Sequence, residues 1–105
     1  MADGKPNRYQ RIQADYPKLI SAVEKLGDAA STAGPLDTRT THLIQLAAAA
    51  AIHSEGAVHS HVRRALAAGA SDAEIRHAIV ALTSTIGFPT VTAALSWVDD
   101  VLDAR

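Results

Sequence analysis

The sequence has 105 residues, 48% of them hydrophobic and 20% charged, with a formal net charge of −1 and no cysteine. One ordinary domain is expected: the length supports a single core, and the charge balance is neither the basic footprint of a nucleic-acid binder nor the polarity of a disordered tail. Without cysteine there are no disulfides, thiolate ligands or thiol chemistry, and nothing points to an oxidising compartment.

Residues 1–7 read as a flexible lead-in without the apolar stretch of a signal peptide, and residues 8–105 as one helical domain. Tyr9, Ile12 and Tyr16 suit a short helix. Pro17 fits a first helical turn, and Leu19, Ile20, Val23 and Leu26 then follow a helical stripe towards Gly27. Gly34-Pro35-Leu36-Asp37 reads as a loop ending in an N-cap. Leu43, Leu46, Ala47, Ala50 and Ala51 continue at helical spacing, which predicts a helix from about Thr38 to His53. The longest apolar run, Leu46 to Ile52, is much too short to cross a bilayer, so a cytoplasmic protein without a membrane partner is expected.

A break is expected near Gly56, followed by a helix carrying Val58, His61, Val62, Ala65 and Leu66 and stopped by Gly69. Ser71-Asp72-Ala73-Glu74 has the spacing of a capping box. Ile75, Ala78, Ile79, Leu82 and Ile86 then form one stripe. Gly87-Phe88-Pro89 restarts the chain as a last helix, with Val91, Ala94, Leu95, Val98, Val101 and Leu102 on its buried side. No period-two pattern appears, so the fold class is all α, a compact helical bundle. Its many alanines bury little area each, at roughly 25 cal/mol per Å² of apolar surface. The core of a monomer is therefore thin, and a homo-oligomer is expected.

Chemistry concentrates between His42 and His61. Four of the five histidines, His42, His53, His59 and His61, fall there with Glu55 among them; His77 lies elsewhere and reads as a solvated or interface residue. At about 100° per residue, Ser54, Ala57, Val58 and His61 share one stripe of a helix and Glu55, His59 and Val62 the next, so His59 and His61 point nearly opposite ways. On a continuous helix His42 and His53 would be in phase but roughly 16 Å apart. Glu55 and His59, at i to i+4 spacing, are candidate ligands for a divalent transition metal, with His53 joining across the bend or an interface. Ser54 reads as the cap of the following helix rather than a nucleophile. Trp97 reads as a packing residue, and Asp99, Asp100 and Asp103 as a solvated face.

Four stretches together resemble the carboxymuconolactone decarboxylase and alkylhydroperoxidase D-like family, from about Pro17 to the C-terminus. They are Leu36-Asp37-Thr38-Arg39-Thr40-Thr41-His42-Leu43-Ile44, His61-Val62-Arg63-Arg64-Ala65-Leu66, Ala68-Gly69-Ala70-Ser71-Asp72-Ala73-Glu74-Ile75 and Gly87-Phe88-Pro89-Thr90. The resemblance implies an all-helical unit around a central helical hairpin, commonly assembled into trimers or hexamers. In the peroxidase branch a glutamate precedes a C-x-x-C pair, and a histidine follows it after three intervening residues. Aligned on His61, the cysteine positions are Ser54 and Ala57 and the glutamate position is His42, so thiol peroxidase activity is not expected.

The cysteine-free decarboxylase branch acts on a lactone through proton transfer and a developing enolate. The resemblance then implies a non-redox, lyase-like protein in which His61 and His42 serve as acid and base and Arg63 or Arg64 holds a substrate carboxylate, with no cofactor required. Two other readings stay open: a metal-binding module built on Glu55, His59 and His53, and a non-catalytic oligomeric scaffold.

Overall fold

The computed structural model describes residues 7–105, with side chains from Arg8 onward; of the lead-in expected over residues 1–7, residues 1–6 lie outside the described residues and Asn7 opens the first helix. Among the described residues seven helices follow in order: α1 (Asn7–Asp15), α2 (Pro17–Ser31), α3 (Thr38–Ala51), α4 (Glu55–Ala67), α5 (Asp72–Val80), α6 (Thr83–Ile86) and α7 (Phe88–Leu102). No strand occurs among the described residues, so the protein is all α. Among the described residues no helix is long and apolar enough to cross a membrane. The chain divides into two compact units, one up to Leu36 and the other from Asp37 to Arg105.

In the first unit α1 packs on α2, and the Tyr9 hydroxyl donates to the Glu24 carboxylate between them. Pro17 opens α2, where its missing N–H costs nothing. The helix continues past Gly27 to Ser31, because one interior glycine costs only about 1 kcal/mol relative to alanine and Ala29 and Ala30 favour the helix. Of the stripe on α2 only Ile20 is buried, while Leu19, Val23 and Leu26 are exposed.

The second unit is built on a hairpin of α3 and α4, with α7 against α4 and α5. Asp37 caps α3, its carboxylate accepting from Thr40 N at 2.7 Å. The chain reverses at Ile52-His53-Ser54 rather than at Gly56, which lies in the first turn of α4. His53 adopts a left-handed φ of 60°, the special conformation that this reversal requires. Ser54 occupies the N-cap position of α4, but its side chain makes no capping hydrogen bond. Gly69, with φ of 96°, follows α4, and Gly87, with φ of 90°, admits α7 at a backbone angle that side chains disfavour.

Ser71 and Glu74 form the expected capping box on α5. The stripe beyond it does not lie on one helix: α5 ends at Val80 and α6 begins at Thr83. Leu46, Ala50, Val58, Val62, Ile75, Ile79 and Val98 are fully buried at the centre, and Trp97 packs half-buried against them.

Candidate histidine site

The hairpin brings His42 on α3 and His61 on α4 together, with ring centroids 5.9 Å apart and planes tilted by 34°. Helical phase accounts for this. Val58, Val62 and Ala65 of α4 are buried in the core, and His61 turns from that face towards α3. Both rings are half-buried, and the Nδ1 atom of each is fully enclosed without a hydrogen-bond partner. A buried polar atom left unpaired is costly and marks a position that a ligand, a water or a transferred proton can satisfy.

Electrostatics favours the neutral rings. Burial is the largest influence on His61, followed by the positive charge of Arg64 and by His42, and together they lower its pKa to about 4. His42 is lowered from its usual value by burial first and by Arg64 next, while a side-chain hydrogen bond with Gln45 acts in the opposite sense. At neutral pH the pair is therefore two uncharged imidazoles, each able to accept a proton, with an arginine close enough to be felt by both. Arg64 is exposed, three residues beyond His61 on α4, and Arg63 beside it is half-buried.

The other expected site residues lie elsewhere. His59 turns to the opposite flank of α4 and meets Asp100 on α7, Nε2 to carboxylate oxygen at 3.0 Å, with Glu55 at 3.9 Å. His53 is exposed in the turn, outside that group. His77 is exposed on α5. Two participants escaped the sequence reading. Gln45 stands three residues after His42, a spacing that puts both on one helix face and could have flagged it. Asp100 is 41 residues from His59, so only tertiary packing brings them together.

A cysteine-free α-helical protein whose central hairpin presents a pair of facing imidazoles is the class that fold and site define. The chain matches the carboxymuconolactone decarboxylase family over residues 17–100 and belongs to that family. No curated protein and no solved structure was found to match it.

Proposed function

We propose that this protein is a non-redox member of its family, carrying out acid and base chemistry on a small carboxylate or lactone, such as decarboxylation or a related lyase or isomerase step. The observation that carries the reading is the His42–His61 pair, two facing imidazoles with enclosed, unpartnered Nδ1 atoms. His61 is the base in a proton abstraction, and His42 exchanges the proton with it. Arg64, with Arg63, holds the substrate carboxylate. A bound anion offsets the positive field of Arg64 and so raises the proton affinity of both rings, while the burial that lowers them most remains. In a decarboxylation the carbon–carboxylate bond breaks, carbon dioxide leaves, and the electron pair passes into the adjacent carbonyl as an enolate. The enolate carbon then takes a proton delivered through the imidazole pair, which is replenished from solvent.

The same reading makes the working unit a homo-oligomer, a trimer or hexamer, supported by the exposed Ile44 on α3 and Ile52 in the turn after it. Nucleic acid and membrane surfaces have no part in it. The test is a thermal-shift panel of small carboxylates and lactones on the untagged protein, with turnover followed for every hit and sedimentation run alongside. Stabilisation by at least one such compound, lost in His61→Ala, is expected for an oligomeric species. A stable monomer that no compound stabilises, with His61→Ala behaving like the parent, overturns the reading.

A further inference from the structure

We propose that Glu55, His59 and Asp100 form a binding site for a divalent transition-metal ion, on the flank of α4 opposite to the His42–His61 pair. Their donor atoms, one imidazole nitrogen and two carboxylate oxygens, all lie within 4.8 Å of one another. Two atoms bound to one ion at about 2.1 Å each cannot be more than about 4.2 Å apart. The His59–Asp100 separation of 3.0 Å and the His59–Glu55 separation of 3.9 Å both meet that limit. The third pair, Glu55 and Asp100, lies within 4.8 Å, and these two side chains are 57% and 55% exposed, with room to adjust.

The scaffold suits a ligand set. Glu55 and His59 are one helical turn apart on α4, and Asp100 comes from α7, so two elements converge on one point. Val58 and Val62 of α4 and Val98 and Leu102 of α7 are buried in the core where the two helices pack, which fixes the two backbones relative to each other. His59 is only 22% exposed, oriented by its contact with Asp100, while the carboxylates open to solvent and leave room for water ligands. The acids of α7 are also sorted: Arg76 takes Asp99 at 3.0 Å and Asp103 at 3.6 Å, and Asp100 turns the other way to the imidazole. A nitrogen and two carboxylate oxygens form a borderline donor set that favours Zn²⁺ and its neighbours over hard ions such as Mg²⁺.

Zinc titration of the untagged, full-length protein by calorimetry, with melting followed in parallel, tests the site. One equivalent of Zn²⁺ is expected to bind and raise the melting temperature. Glu55→Gln and Asp100→Asn are each expected to weaken binding by about tenfold or more, and His59→Ala to abolish it. Glu55→Gln also serves as the folding control, because its exposed side chain can change with the zinc-free melting temperature unaltered. His61→Ala is expected to bind zinc like the parent. Absence of binding at about 100 μM Zn²⁺, or parental affinity in both carboxylate variants, overturns the proposal. So does loss of zinc in His61→Ala with retention in Glu55→Gln, which would assign the ion to the other pair.

Discussion

A buried imidazole beside an arginine is an unfavourable place for a proton, and His61 is held at about 4 for that reason. Burial ranks above Arg64 among the causes, so the two contributions are separable by substitution. Arg64→Gln removes a positive charge and must raise the pKa of His61, yet leave it below the unperturbed value of about 6.5 because the burial remains. His42 should move in the same direction, since Arg64 is its second-ranked cause. Titration of the imidazole resonances by NMR checks this: an unchanged His61 midpoint in Arg64→Gln would show that the charge does not reach the pair.

At the scale of the helices, the start of α5 shows what short-range chemistry can specify. Ser71 Oγ accepts from Glu74 N at 3.0 Å, and the Glu74 carboxylate accepts from Ser71 N at 2.9 Å. Two donors that the helix cannot satisfy itself are thereby paired. Ser71→Ala is expected to cost about 1 kcal/mol of unfolding free energy in denaturant titration, with the helix content unchanged. This box, the Asp37 cap and the entry at Phe88 were legible because each depends on residues only a few positions apart. The reversal before α4 was not, since His53 supplies the left-handed backbone there while the more obvious Gly56 sits inside the helix. Nor was the gap between α5 and α6 legible, because no glycine or proline marks Ala81-Leu82 and the apolar spacing runs on through it. Within the site, helical phase was enough to separate His59 from His61. It could not indicate which acid of α7 meets His59, since Asp99, Asp100 and Asp103 differ only in which partner the packing gives them.

For the whole molecule, the same imidazoles couple folding to pH. In the unfolded chain His61 takes up its proton near pH 6.5, and in the folded chain at about 4. Between those values the unfolded state binds a proton that the folded state refuses, so stability falls as the pH is lowered through that window. Above it His61 is neutral in both states and contributes nothing; below it the full loss is reached, on the order of 3 kcal/mol. His42, lowered for the same leading reason, adds to the loss in the same sense. Asp37 and Glu74 act further towards acid. Their backbone hydrogen bonds at the helix starts hold them below 3.8 and 4.5, so their stabilisation is present above those values and disappears as the pH falls through the lowered ones. The two layers can be told apart with one substitution. In His61→Gln the ring that refuses the proton is gone, so unfolding free energies measured from about pH 6.5 down to about pH 4.5 should decline less steeply than in the parent, while the loss from the capping carboxylates at lower pH persists. A decline as steep as the parent's over that interval would mean that His61 protonates as readily in the folded chain as in the unfolded one, so that burial and Arg64 do not disfavour its charged form.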